Sequence, residues 1–286
     1  MRDRLRLAVP NKGRLVEPTL ALLRDAGLAF EAHDRSLVAQ VQNLDIDILF
    51  VRATDVVEFV GDDVADLGIT GLDLLAERGS RLPVARRLGY GRCRLAVAVP
   101  GDATQTQVEE LAGLRVATAH PNLARAFFVD RGIPIEVIAL SGAVEVAPRL
   151  GLAEGIVDLV STGSTLAMNG LRAIADVLPS EAVLIANPMA ERQRPGELSA
   201  IDTMIGAVLA ARDRKYLMMN APAAQLETLE NLLPGLESPS VIPLAHEGMI
   251  AIHAVVGADD LWDLLPRLKA AGASGILVLP IEKLVA

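Results

Sequence analysis

The sequence predicts an α/β fold of two lobes followed by a small domain of βαββαβ order. Three observations carry that expectation. Strand-like apolar runs alternate with segments of helical spacing from Leu5 onward. The stretch "ADLGITGLDLL" (Ala65 to Leu75) aligns without gaps on "VDLVSTGSTLA" (Val157 to Ala167), pairing Asp66 with Asp158, Leu67 with Leu159, Thr70 with Thr162 and Gly71 with Gly163. That echo is either chance or the mark of two lobes, each supplying a strand–TG–helix element. Two such lobes would set their strand ends around a shared cleft, where α/β proteins bind ligands. The residues after about Arg212 change character, from long alternation to a split βαβ pattern.

In chain order, "LRLAVP" (Leu5 to Pro10) reads as a strand, "NKGRL" as a turn and "LVEPTLALLRDAG" as a helix stopped by Gly27. "DIDILFVR" is a second strand leading into "ATDVVEFVGDD". "VADLGIT" is a short strand and "GLDLLAERG" a helix. "RCRLAVAVP" and "LRVATAH" are strands, and "NLARAFFVDRG" is a helix that Asn122 could cap. "IEVIAL" is a strand, "AVEVAPRLGLAEG" a helix ending near Gly155, and "IVDLVST" the next strand. "PMAERQRPGELSAIDTMIGAVLAARD" combines a polar, Pro/Gly-bearing stretch with a helix. The last domain holds "RKYLMMNAP" as a strand and "AAQLETLENLLPG" as a helix with apolar Leu226, Leu229, Leu232 and Leu233. "SPSVIPLA" and "GMIAIHAVV" are strands joined at "HEG", followed by the helix "ADDLWDLLPRLKAAGA" and the strand "GILVLPI". That order is ferredoxin-like.

A net charge of −9 and a pI near 5.0 argue against a broad nucleic-acid surface. They leave room for a small anion held by local cations and backbone N–H groups. No apolar run approaches the roughly 18–20 residues that span a bilayer, and "MRDRLRLAVPNKGRL" has no signal-peptide core. The expectation is a cytoplasmic protein without membrane or nucleic-acid partners. Cys93 is the sole cysteine, so no intrachain disulfide can form.

The most distinctive chemistry lies in "VDLVSTGSTLAMNGL" (Val157 to Leu171). An apolar strand with one acid runs into a hydroxyl-rich turn that could open a helix. Backbone N–H groups in such a turn, with Ser and Thr hydroxyls, suit a phosphate, and Gly163 permits close approach or positive φ. Asp158 would accept from sugar hydroxyls. The plainer alternative is that Ser161 or Thr162 only caps a helix. The spacing is not that of a Walker A loop. Cations stand at other strand ends: Lys12 and Arg14 around Gly13, Arg52 after a strand, and Arg92 and Arg94 entering one, where alternation would put both on one face. His120 and Arg125 flank a strand-to-helix turn, and a lone histidine there is more often structural than catalytic. No nucleophile elbow or metal-ligand spacing occurs. Chemistry that needs positioning and charge neutralisation therefore fits better than covalent catalysis. A solute receptor is the competing class, since two-lobed α/β folds often bind single ligands.

Taken together, "PNKGRL", "VADLGITGLDLL", "LGYGRCRLAVAVP", "SGAVEVAPRLGLAEGIVDLVSTGSTLAMNGL", "LLPGLESPSVIPLA" and "LKAAGASGILVLPIEKL" resemble the ATP phosphoribosyltransferases, in the long form with a C-terminal regulatory domain. The resemblance runs over essentially the whole chain. It implies a two-lobed, type II periplasmic-binding-protein-like catalytic core, with lobe I as residues 1–94 with 182–211, lobe II as 95–181, and a histidine-binding regulatory domain as 212–286. It implies transfer of a 5-phosphoribosyl group from 5-phosphoribosyl 1-diphosphate to N1 of ATP, with Mg²⁺ and release of diphosphate. Feedback inhibition by histidine and assembly into dimers and hexamers follow from the same likeness. Carried onto this sequence, Thr162, Gly163, Ser164, Thr165 and Leu166 would hold the 5-phosphate and Asp158 the ribose hydroxyls. Lys12, Arg14, Arg52 and Arg92 would serve ATP and diphosphate, with Asp158, Lys12 and Arg14 as the catalytic set. Glu145 is a further candidate for the sugar or Mg²⁺, the ion being held mainly through substrate phosphates. Asn220, Ser238, Ser240 and Ala273 would form the histidine site. Some relatives carry an acid where Asn220 stands, and some carry Glu where Ser161 stands.

Overall fold

A computed structural model describes residues 4–32, 36–233 and 238–285. The chain divides into two compact units, Met1–Arg24 with Leu28–Asp202, and Asp25–Gly27 with Thr203–Ala286. Among the described residues, no helix is long and apolar enough to cross a membrane.

The first unit contains two lobes. Lobe I opens with β1 (Leu5–Pro10), α1 (Val16–Asp25), β2 (Val38–Gln40), β3 (Ile46–Val51), α2 (Ala53–Gly61), β4 (Leu67–Gly71), α3 (Leu72–Glu77) and β5 (Val84–Arg87). The chain then crosses into lobe II: β6 (Cys93–Pro100), β7 (Arg115–Thr118), α4 (Pro121–Val129), β8 (Glu136–Ala139), β9 (Gly155–Val160), α5 (Ser164–Met168) and β10 (Leu171–Ser180). It returns through β11 (Ala182–Ala186) to α6 (Pro188–Gln193) and to α7 (Pro195–Ala211), whose residues from Thr203 belong to the second unit. The lobe I sheet has the order β2-β3-β1-β4-β11-β5, and the lobe II sheet β10-β6-β9-β7-β8.

Strands covered on both faces must be apolar throughout. Leu5, Leu7, Ala8 and Val9 of β1 are fully buried, as are Leu95 to Val99 at the centre of β6. On β4, Gly68 meets the packing demand of α2: a Cβ there would stand 2.6 Å from Val56 Cγ1 and 2.7 Å from Val60 Cγ2.

The second unit holds β12 (Arg214–Pro222), α8 (Leu226–Glu230), β13 (Ser240–Pro243), β14 (Met249–Gly257), α9 (Leu261–Ala270) and β15 (Ser274–Pro280). Its antiparallel sheet runs β13-β14-β12-β15, the ferredoxin-like arrangement expected from the sequence. Leu217, Met219, Ile252, Val256, Leu264 and Leu268 close its core.

Several local expectations change. The helix expected over Ala143 to Gly155 is a single 3₁₀ turn at Val144–Val146 followed by further turns. Pro148 removes a helical donor and Gly151 sits at φ +67°, so the apolar spacing there never closes a helix. Asn122 does not cap α4: the cap position is His120, with Pro121 in the first turn. Arg92 precedes β6, so strand alternation does not align it with Arg94. Arg92 approaches Glu181 at 3.9 Å, while Arg94 pairs with Asp176 at 2.7 Å. The helix expected through "LLPG" stops as an α-helix at Glu230, and residues 234 and 235 lie outside the described residues. The strands β2, β5, β10 and β11 had no expectation.

Candidate functional site

The parallel strands of each lobe end at one edge, and their following loops gather there. In lobe I, β1, β3 and β4 are parallel neighbours. Lys12 and Arg14 follow β1, Arg52 follows β3, and all three are exposed. In lobe II, β7 pairs in parallel with both β8 and β9. His120 follows β7, Glu145 lies beyond β8, and residues 161–165 follow β9. β6 runs antiparallel to β9 with Arg94 opposite Val160, which brings Arg92 to this edge as well. Arg14 Nη2 lies 2.8 Å from Cys93 Sγ, tying the lobe I turn to the start of β6. Carboxyl-edge loops are where open α/β sheets bind ligands.

Asp158 sits half-buried in β9, and its Oδ1 accepts the N–H of Leu159 at 2.8 Å. Burial pushes its carboxyl above the ordinary value. The Leu159 N–H works against that, the charge of Glu145 adds to it, and His120 opposes it. Glu145 and Asp158 are thus electrostatic neighbours. Beyond β9 the turn is exposed at Ser161, Thr162, Ser164 and Thr165, while Leu166 is buried as its anchor. Gly163, in the left-handed region at φ +82°, is the cap residue of α5 and makes no side-chain cap bond. The Thr162 and Ser164 hydroxyls bond each other at 2.9 Å, and Ser164 N–H reaches Thr162 Oγ1 at 3.4 Å. The helix therefore opens on a glycine, not on a capping hydroxyl, and the hydroxyls form their own surface.

One constellation was not anticipated. Ser180, at the end of β10, donates its hydroxyl to Asp73 Oδ1 at 2.5 Å and accepts the Asp73 N–H at 3.0 Å. His120 Nε2 stands 3.2 Å from Asp73 Oδ2. Burial alone would raise the Asp73 carboxyl, but the bonds to His120 and Ser180 and the charge of His120 outweigh it and hold the group below its ordinary value. A sequence cue existed: Asp73 stands two residues after the TG of the lobe I echo.

In the second unit, Asn220 lies exposed on β12, opposite Ala251 and Ser274. Ser240, on the edge strand β13, opposes His253 and through it Met218, which places it on the same sheet face as Asn220, two strands away. Ser238 is exposed just before β13. Ala273, just before β15, packs into the opposite, buried side.

Comparison with known proteins places this geometry in context. The pattern of the family described as HisG, ATP phosphoribosyltransferase, matches residues 52–208, and that of the HisG C-terminal domain matches residues 211–283. An ATP phosphoribosyltransferase from Methanosarcina barkeri is 42% identical over 288 residues, covering 98% of this chain and 99% of its own. One from Gemmatimonas aurantiaca is 45% identical over 291 residues, covering 98% of this chain and 99% of its own. Among solved structures, the ATP phosphoribosyl transferase (HisG:HisZ) complex from Thermotoga maritima superposes with a TM-score of 0.64 at 30% identity, covering 71% of this chain and 96% of that one. Tv2483 bound to L-arginine superposes with a TM-score of 0.51 at 11% identity over 71% of this chain and 84% of that one, a likeness of fold alone.

Proposed function

The chain belongs to the ATP phosphoribosyltransferase family, in its long form with a C-terminal domain, and on that footing we propose the details of its reaction. The 5-phosphoribosyl group of 5-phosphoribosyl 1-diphosphate passes to N1 of ATP, and diphosphate leaves. The observation that carries this reading is the turn after β9, where a left-handed Gly163 and four exposed hydroxyl residues follow the half-buried carboxylate of Asp158. Thr162 to Leu166 hold the 5-phosphate, and Asp158 takes the ribose hydroxyls.

Cleavage of the C1–diphosphate bond builds positive character on the sugar and negative charge on the leaving group. Adenine N1 brings its own lone pair, so attack needs alignment more than a base. Lys12, Arg14, Arg52 and Arg92 answer the anionic substrates at the carboxyl edges. The charge of Glu145, which adds to the rise of the Asp158 carboxyl, fits a cation nearby. Mg²⁺ travelling on the substrate phosphates, beside Glu145, would neutralise the leaving diphosphate when bound.

The same reading assigns residues 1–94 with 182–211 to lobe I, residues 95–181 to lobe II and residues 212–286 to regulation. Histidine binds on the exposed side of Asn220, Ser238 and Ser240, with the buried Ala273 supporting that sheet from its other face, and inhibits from there, in a cytoplasmic homo-oligomer. Incubation with ATP, 5-phosphoribosyl 1-diphosphate and Mg²⁺ should give the rising ultraviolet absorbance of an N1-substituted adenine. Folded protein that yields no such product rules the reaction out.

A further inference from the structure

Asp73, His120 and Ser180 are 2%, 4% and 5% exposed, deeper than polar side chains go without a purpose. They come from three places: α3 in lobe I, the turn after β7 in lobe II, and the last residue of β10 before the chain returns to lobe I. A second set of bonds runs beside them. The Glu77 carboxylate, also on α3, accepts the N–H groups of Asn122 and Leu123 at 2.9 Å each, and the Glu77 carbonyl accepts from Asn122 Nδ2 at 3.0 Å. The helix α3 is thus fastened near its start, through Asp73, to His120 and Ser180, and at its end, through Glu77, to the first turn of α4. The fastening also dictates Gly71, because a Cβ there would collide with Oδ1 of Asp73.

His120 Nδ1 is buried and, among the described residues, has no hydrogen-bond partner. A buried nitrogen without a partner penalises the arrangement that leaves it so. The ring accepts that penalty while its other nitrogen holds the bond between lobes. The charged groups that meet it are Asp73 on α3, at 3.2 Å, and Asp158 on β9, whose carboxyl senses the His120 ring. His120 therefore bridges lobe I to the neighbourhood of the proposed sugar site.

We propose that Asp73 and His120 form an inter-lobe positioning pair: their bond sets the angle at which the Asp158 turn of lobe II meets the cations of lobe I. The pair acts through alignment, not by touching reacting atoms. Only the kinetic arm of its test rests on the transfer reaction proposed above.

Nitroxide labels at Asp62 in lobe I and Asp130 in lobe II, on a common Cys93→Ala background, report the lobe-to-lobe distance by electron–electron resonance. Measurements run with and without 5-phosphoribosyl 1-diphosphate and Mg²⁺. His120→Leu, which cannot bond Asp73, should broaden or shift the distance distribution. His120→Gln, whose amide still donates, should restore it, and Asp73→Asn should fall between. In steady-state assays kcat should fall about ten-fold or more in His120→Leu and recover in His120→Gln, since small misalignment costs rate steeply. The KM for the ribosyl donor, whose proposed contacts lie in lobe II, should stay within about two-fold, as expected when alignment and not ground-state binding is lost. Identical distance distributions in all variants overturn the proposal, as does a His120→Gln protein as impaired as His120→Leu. Should His120→Leu not fold, the comparison of His120→Gln with Asp73→Asn decides. If no product forms at all, the transfer reading fails while the label distances still decide the pair.

Discussion

Replacing Asp158 by asparagine tests the proposed sugar site with little change of shape. Asparagine keeps an oxygen that can accept the Leu159 N–H, now at 2.8 Å from Asp158 Oδ1. What disappears is the charge. A hydrogen bond to a charged acceptor is worth about 1.5–3 kcal/mol and a neutral one about 0.5–1.5. Two ribose hydroxyls then lose about 2–3 kcal/mol together, which weakens donor binding roughly 30- to 140-fold. The stability change has the opposite sign. Burial raises the Asp158 carboxyl, and Glu145 adds to the rise. An acid so raised is penalised by folding only when ionised. The penalty is absent below the ordinary value of 3.8 and complete once pH has passed above the raised folded value. Asp158→Asn should therefore unfold at the same temperature as the parent at neutral pH, or slightly higher.

Calorimetric titration with the ribosyl donor and Mg²⁺, and separately with histidine, reads both affinities on the same samples. Donor affinity should fall and histidine affinity should stay. In the parent, donor affinity should also decline as pH drops through the raised Asp158 value, a limb that Asp158→Asn lacks. An unchanged donor affinity, or equal loss of donor and histidine binding, refutes the assignment of Asp158 to the sugar.

Three further outcomes follow from particular contacts. Gly163→Val forces a β-branched residue into φ +82°; the left-handed region costs an L residue about 1–2 kcal/mol, so the melting temperature should drop by a few degrees and transfer should be lost with it. Gly68→Ala drives a methyl to 2.6 Å from Val56 Cγ1; overpacking of this kind costs about 1–3 kcal/mol, read as a lower denaturant midpoint with an unchanged slope. Asn220→Asp gives the proposed histidine site an anion for the ligand's ammonium. At an exposed position that pairing is worth about 0.2–1 kcal/mol, so histidine should bind up to about five-fold tighter by calorimetry.

How much of this was legible depended on how local the cause is. The buried strands β1, β6 and β9 announced themselves as apolar runs because both faces of each are covered. β10 gave no such signal: its ladder with β6 shifts register between Ala173 and Ala175 and again between Asp176 and Leu178, and Pro179 lies within it. Each shift flips the inward face, so no period of two survives. The turn at 161–165 was legible because its glycine and hydroxyls are contiguous. Asp73, His120 and Ser180 were not, since 47 residues separate the first pair and 107 separate Asp73 from Ser180.

The internal echo shows where letters and causes part. Both copies of the TG pair open a helix, one in each lobe, but the lobe I pair still belongs to its strand, whereas the lobe II pair follows the end of β9 at Val160. Yet Gly71 has ordinary extended backbone at φ −83°, while Gly163 is left-handed at φ +82°. In lobe I the glycine is required by a neighbour, the carboxylate of Asp73, which leaves no space for a Cβ. In lobe II nothing lies within 4 Å of the missing Cβ, and the requirement is the backbone itself. Gly71→Ala should therefore act through Asp73, disturbing the bonds to His120 and Ser180 without backbone strain. Gly163→Ala should strain the turn and leave the inter-lobe pair untouched. The label-distance assay separates the two: only Gly71→Ala should move the lobes, while Gly163→Ala should lose donor affinity with the lobe distance unchanged.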